Sequence, residues 1–96
     1  MMKINIFELA GAFAENKDVA RKIRIDHLEP ALAASEDIIL NFEQVSGTTQ
    51  SFVHALISEL FRKFGNSVLD HIEFKNCNET VKKIITLVAD YMQEAE

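Results

Sequence analysis

The residues that could do chemistry cluster in one stretch, "NFEQVSGTTQSFVHAL", from Asn41 to Leu56. It places four hydroxyls, at Ser46, Thr48, Thr49 and Ser51, between an apolar run and an apolar helix pattern. In an α/β fold, the end of a central strand followed by a helix start is the usual ligand position. The free N–H groups and partial positive charge of a helix start suit an anion or a phosphoryl group. A phosphate on Ser51 would itself add roughly −1.5 to −2 charges there. The simpler role is an N-cap at Thr49 or Ser51, worth about 1 kcal/mol. Gly47 stands alone and no Gly-Lys-Ser/Thr follows, so there is no Walker-type phosphate loop. The candidate loop comprises Ser46, Gly47, Thr48, Thr49, Gln50 and Ser51, with His54 one turn further along.

Other chemistry finds less support. A Ser51–His54 dyad would need a strained glycine-flanked elbow, which "TQSFV" lacks. His27, His54 and His71 fall on three different elements without i, i+4 spacing, and Cys77 has no CxxC partner, so no metal site is expected. His71 follows Asp70 on an expected strand, where neighbours point to opposite faces. The acids are spread singly, with no pair set to act as general acid and base. No enzyme and no cofactor are expected.

The elements that must position this loop can be read from periodicity. "KINIF" (Lys3 to Phe7) alternates as a strand, and a short second strand fits Ala12 to Ala14. A helix follows from an Asn16 cap, with Asp18 in its first turn, and Pro30 should kink or interrupt it near Leu28 and Glu29. "DIILNF" (Asp37 to Phe42) reads as a central parallel strand buried on both faces. After the loop, Phe52, Leu56, Leu60 and Phe64 form one helical row and Val53, Ile57 and Phe61 a second, closed by Gly65. "VLDHIEFKN" reads as the next strand, with Ile72 and Phe74 on one face. Asn78 then caps a last helix striped by Val81, Ile84, Ile85, Val88 and Met92. The order β, α, β, α, β, α predicts right-handed crossovers and a small α/β layer fold.

Bulk properties bound the class. A chain of 96 residues suits a single domain, residues 1–96, and can bury roughly 65% of its unfolded surface. Apolar residues at 48% and charged residues at 26% are ordinary for a folded domain. Fifteen acids against ten bases give a net charge of −5, which disfavours binding to a nucleic-acid backbone. The basic residues Arg21, Lys22, Arg24, Arg62 and Lys63 fall within helical patterns and are expected on solvated faces. No apolar run is long enough to span a membrane, and with one cysteine nothing calls for an oxidising compartment, so the expected location is cytoplasmic. Phe13, Phe61, Phe64 and Met92 exceed the apolar residues that three helices over a small sheet need. They either reach the core or mark an interface, with a homodimer as the simplest product.

Two segments carry a family resemblance. "HLEPALAASEDIILNFEQVSGTTQSFVHALISELFRKFG" and "IEFKNCNETVKKIITLVADYM" resemble the STAS-like domains of unknown function, over roughly residues 20 to 93. These are relatives of the STAS domain of sulfate transporters and anti-sigma factor antagonists. The resemblance rests on "LEPAL", on "NF" at the strand end, on Val45, and on "SF" opening the next helix. It implies a mixed sheet of three to four strands with about three to four helices mainly on one face. It also implies a regulatory or interaction module. In the antagonists, a serine in an Asp-Ser-Ser-Gly motif at this helix start is phosphorylated by a histidine-kinase-like ATPase, which releases that partner. The matching positions here are Thr49, Gln50, Ser51 and Phe52, so the phosphoacceptor falls on Gln50 and only Ser51 retains a serine. Asn41 replaces the strand-end aspartate.

The function expected from sequence is therefore a non-enzymatic module in signalling or regulation. It would bind a protein partner, such as a histidine-kinase-like ATPase, through the 46–54 loop. The alternative is a small-ligand sensor that binds an anion or nucleotide at the helix start near Ser51.

Overall fold

The computed structural model describes residues 1–94. Strand β1 (Met2–Asn5) leads into a short helix α1 (Ile6–Ala10) and a two-residue strand β2 (Phe13–Ala14). Helix α2 (Lys17–Ile23) continues through a π-helical turn, Arg24–Leu28, into α3 (Glu29–Ala33). Strand β3 (Ile38–Asn41), the short β4 (Gly47–Thr48) and helix α4 (Gln50–Phe64) follow. A 3₁₀ turn (Asn66–Asp70), strand β5 (Ile72–Lys75) and helix α5 (Glu79–Glu94) complete the described chain. With α2 and α3 taken as one stretch, this is the α/β layer fold that the alternation of patterns predicts.

The main sheet has the order β1-β3-β5, and β2 pairs with β4 beside it. All three pairings are parallel, where a mixed sheet was the expectation. Every paired strand is reached by a crossover through a helix, which returns the chain to the same end of the sheet. Residues Met2, Ile38 and Ile72 are in register, as are Ile4, Leu40 and Phe74, so these six share one face. Ile4, Ile38, Leu40 and Ile72 are buried there. The opposite row, Lys3, Ile39 and Glu73, is exposed or half-exposed. Strand β3 is thus central and parallel, but its second face is only partly covered: Ile39 is half-exposed there, while Asn41 is buried. The sequence alternation of its neighbours, Lys3 and Glu73, carried that information, and "DIILNF" alone did not.

Helix α4 is the centre of the helical layer and packs against both α2 and α5. Both of its expected apolar rows are buried except Phe64, which is half-buried at the end. Each fully buried side chain of this kind contributes about 1.5–3 kcal/mol relative to exposure. The helix ends at Gly65, whose φ of 78° is in the left-handed region that glycine enters without steric cost. The α5 stripe behaves as expected: Val81, Ile85, Val88 and Met92 are buried and Ile84 is partly so.

Two local readings shift, and a third takes a specific form. Strand β1 stops at Asn5 because Ile6 already opens α1, so Phe7 is helical. Strand β5 begins at Ile72, because the segment before it winds as a 3₁₀ turn that buries Val68. Before Pro30 the expected interruption near Leu28 and Glu29 takes the form of a change of helix type, the π-helical turn ending at Leu28 and α3 beginning at Glu29. Leu28 and Glu29 keep helical dihedrals, and the missing N–H and ring of Pro30 are accommodated by the wider π-helical turn just before. Of the four apolar residues in question, Phe61 and Met92 are buried, Phe64 packs against the core, and Phe13 is 52% exposed.

Among the described residues, no helix is long and apolar enough to cross a membrane.

Candidate functional site

The strand-to-helix segment begins with a tie between strand ends. Asn41, 4% exposed, accepts hydrogen bonds at Oδ1 from Glu43 N (3.1 Å) and from Asn76 Nδ2 (2.8 Å). One amide oxygen thereby joins the end of β3 to the end of β5. Gln44 then takes a positive φ of 71°, and Val45 N donates to Phe42 O, which turns the chain back. Asn76 also has a positive φ, 59°, a conformation that asparagine tolerates better than most residues.

The next four residues are fastened to β2 and to the start of α5. Ser46 donates to Ala12 O from both its N–H (2.7 Å) and its Oγ (3.0 Å). Thr48 is buried, and its Oγ1 donates to Ala14 O at 2.7 Å. Asn78 donates through Nδ2 to Ser46 O at 2.9 Å and accepts at Oδ1 from Val81 N at 2.8 Å, so it caps α5 while holding the loop. Gly47 lies under the ring of Phe13: a Cβ at this position would fall 2.8 Å from Phe13 Cε1. Thr49 is the N-cap of α4, its Oγ1 accepting from Phe52 N at 3.1 Å. The hydroxyls of Ser46, Thr48 and Thr49 are all engaged inside the protein.

Gln50, Ser51 and His54 differ. All three are exposed, and they line one open groove of about 900 Å³. Its far wall is α5, with Leu87 50% exposed and Tyr91 64% exposed. Lys17 at the start of α2 also lines it, and Asp90 and Glu94 stand on the α5 side. The seven candidate residues thus divide. Ser46 to Thr49 form a clasp, and Gln50, Ser51 and His54 form one wall of a groove.

Leu87 and Tyr91 were not among the sequence candidates. The signal was present: both lie off the Val81, Ile85, Val88, Met92 stripe, so the α5 pattern already turned them outward. Arg24 was also misjudged. It was expected on a solvated face, yet it is 8% exposed. Arg24 lies four residues after Ala20 and four before Leu28, both fully buried, so helical spacing puts it on the inward stripe.

His71 pairs with Asp37, not Asp70: its Nδ1 lies 2.8 Å from Asp37 Oδ1, before β5 and β3 respectively. Burial raises the pKa of the Cys77 thiol above its ordinary value, with Lys82 opposing the shift. Among the described residues, no three His, Cys, Asp or Glu side chains gather as a metal site.

The model of the STAS-like domain of unknown function (DUF4325) matches residues 19–82. The chain belongs to this family. The comparisons with curated proteins and with solved structures gave no match. The segment shared with the STAS-like family runs from α2 into the first turn of α5. It therefore contains the clasp, the start of α4 and Arg24, and it ends before Leu87 and Tyr91.

Proposed function

We propose that this STAS-like domain is a non-catalytic interaction module that seats a protein partner in the groove between the start of α4 and the last turns of α5. The observation that carries this reading is the pairing of Leu87 and Tyr91, two half-exposed or more apolar side chains, with the polar wall of Gln50, Ser51 and His54. Large side chains with a polar rim are the usual anchors of protein interfaces, and tyrosine combines an apolar ring with a hydroxyl.

The partner class to test first is a histidine-kinase-like ATPase, because the resemblance to anti-sigma factor antagonists points there. A second copy of the chain is the competing occupant. The ligand-sensor alternative at Ser51 draws less support, because Thr49 already caps the helix and the neighbouring hydroxyls are engaged. The net charge of −5 supports a partner other than nucleic acid, and the single cysteine supports a cytoplasmic setting.

The test is affinity capture of the tagged domain with a photo-crosslinker at Ser51, compared between wild type, Tyr91→Asp and Glu73→Ala. A crosslinked partner that persists in Glu73→Ala and disappears in Tyr91→Asp supports the reading. Equal yields from all three folded proteins would sink it. A crosslink to a second copy would make the module a homodimer through the same surface.

A further inference from the structure

A second groove runs between α2 and α4, on the other side of Lys17 and His54. Its volume is about 350 Å³, at the small end of the roughly 300–1,000 Å³ of ligand pockets. Four cationic side chains line it, Lys17, Arg21, Arg24 and Arg62, against two carboxylates, Asp18 and Glu59. The groove is therefore cationic in a chain whose net charge is −5. Such a local reversal of sign concentrates an anion there.

Arg24 stands out among these cations. It is 8% exposed, and its fully buried Nε has no hydrogen-bond partner. Glu29 Oε2 is 3.5 Å from that nitrogen, within ion-pair range but without hydrogen-bond geometry. The same carboxylate is shared with Lys63, whose Nζ is 2.8 Å from Oε1. One acid thus serves two cations, and the charge of Arg24 is incompletely met. The other two arginines have only exposed partners one turn away, Asp18 for Arg21 and Glu59 for Arg62. Exposed pairs of this kind contribute little and exchange readily for a better acceptor. The Nε is enclosed near Glu29, which does not line the groove, so what Arg24 offers the groove is the incompletely met charge of its guanidinium, and that suits an oxyanion.

We infer that the α2–α4 groove is a binding site for a phosphoryl group, held by Arg24 with Arg21, Arg62 and Lys17 around it. The guanidinium groups match the oxygens of a phosphoryl dianion, and charge-assisted hydrogen bonds of this type are roughly twice as strong as neutral ones. The site adjoins the α4–α5 groove, with Lys17, His54 and Ala55 lining both, but it does not depend on the function proposed for that groove. The phosphoryl group can arrive on a small molecule or on a partner's phosphorylated side chain, and its chemistry is the same in both.

The test is a titration of the full chain with inorganic phosphate, followed by NMR at constant ionic strength set with chloride. Saturable shifts at the Arg24 Nε–H and at the backbone of Ser58 and Arg62, absent with chloride, are expected. Arg24→Gln should weaken binding about tenfold or more, and Arg62→Gln about threefold. If Arg24→Gln fails to fold, the exposed Arg62→Gln and Lys17→Gln variants carry the test, each expected to weaken binding. Non-saturating shifts, shifts matched by chloride, or unchanged affinity in the folded variants would overturn the site. Glycerol phosphate and a phosphoserine peptide are titrated alongside. A peptide that binds at least about tenfold more tightly than glycerol phosphate assigns the group to a protein; equal affinities assign it to a small molecule.

Discussion

Ser46 to Thr49 and Gln50 to His54 are contiguous, yet their polar groups face different demands. The first group lies where three parallel-strand ends converge, and each of its hydroxyls meets a neighbouring backbone group. The second group occupies the first turn and a half of α4, where its polar side chains are exposed and make no clasp contact. Hydroxyl content therefore says little about availability. In the strand-to-helix connection of this chain, the loop closes the sheet end, and the exposed polar side chains start at the helix.

The contrast is sharpest at adjacent positions, Ser51 and Phe52. Phe52 is fully buried under the start of α4. Phe52→Ala should cost about 3–5 kcal/mol through lost burial and the cavity it leaves. For a domain of this size the midpoint of thermal unfolding should fall by more than about 12 °C. Ser51→Ala should change stability by no more than about 0.5 kcal/mol, because its side chain is exposed. Thermal unfolding of the two variants checks both values, and a large loss in Ser51→Ala would erase the division between clasp and groove.

Within the clasp, Thr48→Val removes the donor to Ala14 O while keeping the side chain's shape. We expect a loss of about 1–2 kcal/mol, since a buried carbonyl loses a partner. Thr49→Ala should cost about 1 kcal/mol through loss of the cap on Phe52 N. Urea unfolding with an unchanged slope would measure both. Neither substitution should alter partner capture by the groove, because neither side chain lines it. Reduced capture in a stable Thr48→Val protein would return the loop to the interface.

Much of this arrangement was legible in the sequence. The order of elements follows from periodicity, and the caps at Asn16 and Asn78 follow from residue type, as their hydrogen bonds show. What escaped has identifiable causes. The partial exposure of the second face of β3, at Ile39, depends on its neighbours, and "DIILNF" contains no polar alternation to reveal it. The clasp depends on pairs far apart in the chain, such as Asn41 with Asn76 and Ser46 with Ala12, which no local pattern encodes. Arg24 was misplaced for a different reason. Its charge points outward and its spacing inward, and in the fold Glu29 and the α2–α4 packing let an arginine occupy the inward position. Tyr91 and Leu87 show the converse, since spacing alone turned them outward.

The smallest expected effect probes how tightly the clasp holds its third strand end. Cys77 lies between Asn76 and Asn78, the two residues that tie this end to Asn41 and Ser46. Burial raises its thiol pKa in the folded protein, with Lys82 partly opposing. The folded state thus holds the thiol proton more firmly than the unfolded chain does. The resulting contribution to stability is fully present below the ordinary thiol pKa and is lost as pH rises through the raised one. Wild type should therefore lose more stability than Cys77→Ser between about pH 7 and about pH 10, the range in which a thiol ionises. The difference between the urea midpoints of the two proteins isolates the thiol. A thiol-selective reagent should likewise react more slowly with the folded protein than with the unfolded chain near the ordinary thiol pKa. Equal rates, with parallel pH profiles for the two proteins, would mean that the 76–78 turn opens freely. The clasp would then be a feature of two strand ends, not three.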